Sequence, residues 1–211
     1  MILCYITDRT RFPSDESARQ HTLLEKIAEA SRAGVDLIQV REKDLSTRKL
    51  EALVHAAMRI VRENSSEPAT RLLINSRSDI ALACGSDGVH LRSEDISPLD
   101  VREIWTDAGN SSRALVSVSC HTVAEVARAA SAGADFAVFA PVFEKKDAPA
   151  TKAAGLDQLR VACRQKIPVL ALGGITLENA AACIQTGAAG IAAIRLFQEN
   201  DVAEVVRRLR G

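Results

Sequence analysis

The sequence predicts one α/β domain over residues 1–211, a single (β/α)8 TIM barrel with eight parallel strands. Three observations carry that expectation: a glycine-containing unit recurs four times, short apolar runs stand between the copies, and each of these runs leads into a helical stretch. Ala33-Gly34-Val35-Asp36-Leu37-Ile38-Gln39-Val40 matches Cys84-Gly85-Ser86-Asp87-Gly88-Val89-His90-Leu91. It returns as Ala132-Gly133-Ala134-Asp135-Phe136-Ala137-Val138-Phe139 and, more loosely, as Thr186-Gly187-Ala188-Ala189-Gly190-Ile191-Ala192-Ala193. The four glycines lie 51, 48 and 54 residues apart. Each reads as a helix C-cap followed at once by a buried strand, because glycine accepts the left-handed backbone that ends a helix.

In chain order, the first strand is Ile2–Ile6 and the second closes the first repeat at Val40. The third is Arg71–Ile74, followed by a helix over Ser78–Ala83, and the fourth ends at Leu91. The fifth is Ala114–Val118, followed by a helix over Thr122–Ala132, and the sixth ends at Phe139. The seventh is Pro168–Leu172, followed by a helix over Thr176–Gln185, and the eighth is Gly190–Ile194. Parallel strands covered on both faces should read as continuous apolar runs, as these do. Eight units share the 211 residues at roughly 26 each, near the lower end for such barrels. An open doubly wound sheet is the other candidate, but no GxGxxG follows the first strand and the four-fold spacing suits closure. No linker of biased composition divides the chain.

Composition narrows the function. With 27 basic and 27 acidic residues the net charge is zero, which argues against a general electrostatic grip on nucleic acid or an anionic membrane. Aromatic residues make up 3% of the chain, too few for stacking platforms on single strands. No run approaches the ~18 apolar residues that span a bilayer. The cysteines at 4, 84, 120, 163 and 183 have no metal or redox spacing, so they read as small core residues in a soluble, cytoplasmic protein.

In a barrel of this kind, chemistry sits at the C-terminal strand ends. The second strand ends Gln39-Val40-Arg41-Glu42-Lys43, and a period of two puts Gln39, Arg41 and Lys43 on one face. Two cations and an amide there suit a phosphate or diphosphate; the other reading is a solvated loop of mixed charge. The third strand ends Asn75-Ser76-Arg77, and the fourth His90-Leu91-Arg92-Ser93-Glu94-Asp95. The fifth puts Ser117, Ser119 and His121 on one face. His90 and His121 are either mouth residues or core histidines satisfied by a backbone carbonyl, and His21 and His55 belong to helix surfaces.

After the seventh strand, Gly173-Gly174 ahead of a helix would let backbone N–H groups approach a phosphate, though a plain turn reads the same way. Arg195, at the end of the eighth strand, is placed to add a cation. The loop from Pro141 to Gly155 carries Glu144, Lys145, Lys146, Asp147 and Lys152. It is either a flap bringing lysine to an anion or an exposed charged insertion.

Together these segments, in this order and spacing from Tyr5 to about Phe197, resemble the thiamine phosphate synthase / TenI family. The resemblance implies a barrel enzyme of thiamine biosynthesis. Synthase members join a hydroxymethylpyrimidine diphosphate to a hydroxyethylthiazole phosphate and release diphosphate with Mg2+. By position, Gln39, Arg41, Lys43 and Asn75 match the diphosphate ligands, Asp95 one magnesium ligand, and Ser119 the pyrimidine diphosphate site. Gly173 and Gly174, with Ile194 and Arg195, match the thiazole phosphate site, and Lys145 or Lys146 stands for the lysine of the sixth-strand loop. His121 matches the proton-transfer histidine of TenI tautomerases.

Two departures stand out. Ser76 occupies the position of the second magnesium-binding aspartate, and Val142-Phe143-Glu144-Lys145-Lys146-Asp147 lacks the loop's two threonines. Three activities therefore stay open: the synthase with weakened Mg2+ binding, a thiazole tautomerase using His121, and a non-catalytic binder of thiazole or thiamine phosphate. The implied partners are phosphorylated pyrimidine and thiazole molecules; family members often associate, so a homo-oligomer is also among the expectations.

Overall fold

The computed structural model describes residues 1–13, 15–65, 69–144 and 152–211. Eight strands close into a barrel in sequence order, β8 returning to β1, with every pairing parallel. They are β1 (Ile2–Ile6), β2 (Leu37–Val40), β3 (Arg71–Asn75), β4 (Gly88–Leu91), β5 (Leu115–Cys120), β6 (Phe136–Phe139), β7 (Val169–Leu172) and β8 (Gly190–Ala193). The helices are α1 (Glu16–Arg32), α2 (Thr47–Asn64), α3 (Ser78–Cys84), α4 (Pro98–Asp107), α5 (Val123–Ser131), α6 (Gly155–Ala162), α7 (Ala180–Gln185), α8 (Arg195–Gln198) and α9 (Val202–Arg210). The expected (β/α)8 barrel is the observed fold.

Strand alternation makes two cores. Cys4, Ile6, Leu37, Val138, Leu170 and Ala192 pack together as a small separate cluster. The residues between them, such as Leu3, Tyr5, Ile38, Ile74, Val89 and Ile191, join the larger cluster shared with the helices. The alternation that points Leu37 inward also points Gln39 inward, so polar strand-end residues are delivered to the upper end of the barrel. Cys4, Cys84, Cys120 and Cys183 are buried and Cys163 is half-buried, as small core residues should be. His21 and His55 lie exposed on helices.

The four repeat glycines all have positive φ, between 64° and 102°, as helix-ending residues require. The aspartate two residues later has a role that the repeat alone did not reveal. Asp36 accepts the backbone N–H of Leu3 at 2.7 Å, Asp87 that of Leu72 at 2.8 Å, and Asp135 that of Val116 at 2.7 Å. Each carboxylate thereby locks an even-numbered strand to the odd-numbered strand before it, and each is also paired with arginine. The fourth copy has Ala189 at this position.

One boundary differs clearly from expectation. Helix α7 begins at Ala180, four residues after the expected Thr176. Asn179 accepts from the Thr176 N–H at 2.8 Å and donates to the Gly174 carbonyl at 2.9 Å, so its side chain fastens a turn in which backbone groups bond to amide instead of to helix. Likewise β8 stops at Ala193, and Arg195 opens the short α8 rather than ending a strand.

Candidate active site

The upper end of the barrel holds a cavity of about 390 Å³. Its described lining includes Gln39, Arg41 and Lys43 from β2 and its loop, Asn75 from β3, His90 and Arg92 at β4, and Ser119 and His121 at β5. Gly173, Gly174, Ile194 and Arg195 complete it on the β7–β8 side, with Ile6, Leu172 and Ile175 as apolar wall. The expected site residues of β2, β3, β5, β7 and β8 therefore meet in one place. Lys145 and Lys146 lie outside the described residues.

Among its described residues this cavity has five cationic side chains, Arg11, Arg41, Lys43, Arg92 and Arg195, and no carboxylate. Arg11, which follows β1, and Arg92, which follows β4, had no role assigned from sequence. Arg92 directly follows a strand, which is a signal the sequence offers, whereas Arg11 lies five residues beyond β1 and has no such signal. Crowding of like charge is visible at Lys43, whose pKa is pushed below the ordinary lysine value by Arg41 first, then burial, then Arg92. A neutral chain thus concentrates positive charge at one mouth, which favours a polyanion.

Glu42 stands apart from its neighbours. It points to the opposite face of the strand end and is buried. There it accepts the Thr7 hydroxyl at 2.6 Å and the Arg9 guanidinium at 3.0 Å. Thr7 Oγ1 in turn accepts the Arg41 N–H at 3.0 Å. Arg9 also donates to Asp44 at 2.7 and 2.8 Å and to Glu16 at 2.8 Å. This buried knot fixes the backbone from which Arg41 and Lys43 project.

The polar floor is ordered by short bonds. Gln39 Nε2 donates to Asn75 Oδ1 at 2.9 Å, and Asn75 Nδ2 donates to Ser76 Oγ at 3.2 Å. Gln39 Oε1 is buried and has no protein partner. His90 Nδ1 lies 2.9 Å from Ser117 Oγ. Burial first, then the Arg41 charge, pushes the His90 pKa down to about 4, so its ring is neutral at physiological pH. His121 Nδ1 lies 2.7 Å from the Ala140 carbonyl, which only accepts. That nitrogen is therefore the donor in this contact, and in the neutral tautomer the lone pair is on Nε2. His121 belongs to the cavity wall and is also carbonyl-bound, so both sequence alternatives describe it in part.

Gly173 and Gly174 are required by packing as well as by any ligand. At φ 65°, a Cβ on Gly174 would stand 2.7 Å from the Glu144 carbonyl oxygen and 2.8 Å from Phe143 Cβ. The first stem of the loop after β6 closes over them, Val142 donating to Leu172 at 2.9 Å and Phe143 to Gly173 at 3.0 Å.

Asp95 lies outside this cavity, in a smaller one beside it that shares Arg92 and Ser119 with it. Its Oδ2 accepts the Arg92 backbone N–H at 2.8 Å, and its Oδ1 accepts Arg92 Nη2 and Nε at 2.9 and 3.2 Å. Despite burial, the Arg92 and Ser76 donors hold its pKa below the usual carboxylate value. No group of three His, Cys, Asp or Glu side chains with metal-binding geometry occurs among the described residues. One carboxylate already gripped at both oxygens by an arginine does not fit a protein-held Mg2+.

No helix among the described residues is long and apolar enough to cross a membrane. Comparison with known proteins agrees with this architecture. The family model described as thiamine monophosphate synthase matches residues 3–197. A putative thiamine-phosphate synthase of Geobacter sulfurreducens is 39% identical over 210 residues, covering 98% of this chain and 92% of that protein. The thiamine-phosphate synthase of Methanoculleus marisnigri is 38% identical over 197 residues, covering 91% and 87%. A solved thiamine phosphate pyrophosphorylase from Pyrococcus furiosus superposes with a TM-score of 0.80 at 31% identity, covering 99% and 93%. A 3-hexulose-6-phosphate synthase, at 17% identity and a TM-score of 0.72, shares the fold. With a match running from β1 through α8 and relatives aligned along nearly their whole length, this chain belongs to the thiamine monophosphate synthase family.

Proposed function

We propose that this protein condenses hydroxymethylpyrimidine diphosphate with hydroxyethylthiazole phosphate, giving thiamine phosphate and diphosphate. The observation that carries the reading is the mouth itself, with five cations and no carboxylate among its described residues beside an apolar wall. Two phosphorylated heterocycles need that combination, with charge for the phosphates and hydrocarbon for the rings. Arg41, Lys43 and Asn75 hold the diphosphate on the β2–β3 side. Gly174, Ile194 and Arg195 hold the thiazole phosphate on the β7–β8 side, and Ser119 lies between these two sides.

Gln39 adds an acceptor to the diphosphate-ligand role that the resemblance implies. One Nε2 hydrogen is given to Asn75, the other is left for a phosphate oxygen, and the unpartnered Oε1 suits an N–H of the pyrimidine. In the reaction the bond from the pyrimidine methylene to the diphosphate oxygen breaks, and the electron pair leaves with diphosphate. The thiazole nitrogen then supplies the pair for the new C–N bond. No general base is needed, so fixed donors around the leaving group provide the acceleration. Removing one such donor typically costs about 10²–10³ in rate.

The test is diphosphate release from purified protein given both substrates. Release that depends on both substrates supports the reading, and no release from either the wild type or Ser76→Asp overturns it. A second reading, a thiazole tautomerase, is favoured by His121, whose Nδ1 is fixed as a donor and whose Nε2 is left to take a proton. Conversion of a thiazole phosphate tautomer that His121→Ala abolishes would establish it.

A further inference from the structure

Arg92 stands between two possible uses of the mouth. It follows β4, lines the cavity with Arg41 and Lys43, and adds to the positive field that lowers the Lys43 pKa. The same guanidinium closes on Asp95 through Nε and Nη2, while the Arg92 backbone N–H takes the other carboxylate oxygen. Nη1 is left out of that pair. Ser76, held at φ 59°, presents a hydroxyl to Asp95 where a second carboxylate would be needed to attract a dication. A divalent ion seated here would have to break a charge-assisted pair and face Arg41, Lys43 and Arg92 at close range. The charge balance is right for an anion and wrong for a resident metal.

We propose that Arg92 is a diphosphate ligand of this protein, donating to the diphosphate oxygens beside Arg41 and Lys43. It supplies the charge compensation that paired carboxylates and a metal would otherwise provide. The proposal rests on the condensation reading only for the identity of the anion. Asp95 then acts as a positioning residue, holding the Arg92 fork toward the cavity rather than coordinating an ion. The Arg92 side chain is 63% exposed, so replacing it should leave folding intact.

The experiment is calorimetric titration with inorganic diphosphate, in chelator and in Mg2+, with melting curves as the folding control. The wild type should bind in chelator. Arg92→Gln should bind at least tenfold more weakly there, while Arg92→Lys, which keeps a point charge, should recover most of the loss. Ser76→Asp combined with Arg92→Gln should bind only when Mg2+ is present. Binding by the wild type only in Mg2+, or unchanged metal-free affinity in Arg92→Gln, would overturn the assignment. If diphosphate binds as expected and no condensation occurs, the synthase reading fails and the role of Arg92 stands. If condensation proceeds and Arg92→Gln leaves affinity unmoved, only the role of Arg92 falls.

Discussion

The Arg9 guanidinium lies 3.0 Å from the Glu42 carboxylate, with 3% and 1% of the two side chains exposed, directly behind the residues that carry Arg41 and Lys43. Burial pushes the Glu42 carboxyl above its usual range, and the Thr7 and Arg9 donors pull it back. Asp44 is the main partner keeping Arg9 charged. Such a pair offers little net stability when intact but is costly to break from one side. Glu42→Ala should lose about 3–5 kcal/mol in denaturant unfolding. Glu42→Gln, which keeps an acceptor for Thr7 and leaves Arg9 with Asp44 and Glu16, should lose less. Equal losses in the two variants would show that the charge, not the hydrogen bonds, holds the knot together.

His90 provides a pH signature. Its pKa of about 4 in the fold compares with about 6.5 for an exposed imidazole in the unfolded chain. Between those values the unfolded chain binds more protons than the native state, so its contribution to stability is complete above about pH 6.5 and drains away toward pH 4. The full difference is on the order of 3 kcal/mol. Urea unfolding at pH 7 and pH 4.5 should show a smaller acid loss in His90→Gln than in the wild type. An identical loss in both would mean that other groups carry the acid sensitivity.

Gly174 is held at a positive φ beneath the Glu144 carbonyl. Gly174→Ala strains the backbone and displaces the stem of the loop after β6, costing about 1–3 kcal/mol. Because the same residue edges the cavity, KM for the thiazole phosphate should rise with smaller change for the pyrimidine diphosphate. Steady-state kinetics with each substrate varied in turn checks the asymmetry.

Asp135 receives the Val116 N–H and pairs with Arg102 and Arg113 at 2.9 and 2.6 Å. Asp135→Ala should cost about 1.5–3 kcal/mol, as charged hydrogen bonds do. Asp157→Ala, at a side chain 94% exposed and paired along its helix with Arg160, should be nearly silent by the same measurement.

Much of this was legible in the sequence, for identifiable reasons. Glycine at a helix end followed by β-branched and aliphatic residues is a local signal, and it placed β2, β4, β6 and β8 within a residue or two. Alternation placed Gln39, Arg41 and Lys43 together because period two is a property of the strand itself. The misses were non-local. Alternation takes Glu42 off the mouth face, but the partners that bury it, Thr7 and Arg9, lie more than thirty positions away. Arg11 joins the cavity through barrel closure, which no neighbouring residue announces. The start of α7 departs from its sequence pattern because the Asn179 side chain competes for the backbone groups a helix would use.

The aspartate locks also say where the barrel should open. Three of the four repeats fasten a strand pair with a carboxylate, and the fourth enters β8 behind Ala189, which has none to offer. Of the four pairs in which an even-numbered strand follows an odd-numbered one, β7–β8 is thus the seam without this lock, and the expectation is that it loosens before its three counterparts. In deuterium exchange, the amides of Ile191 and Ala192 should exchange ahead of those of Ile38 and Val89. Breathing at that seam would loosen the rim bearing Gly174 and Arg195 while the opposite rim, with Arg41 and Lys43, stays shut. One substrate would then have a door of its own, on the side away from the diphosphate.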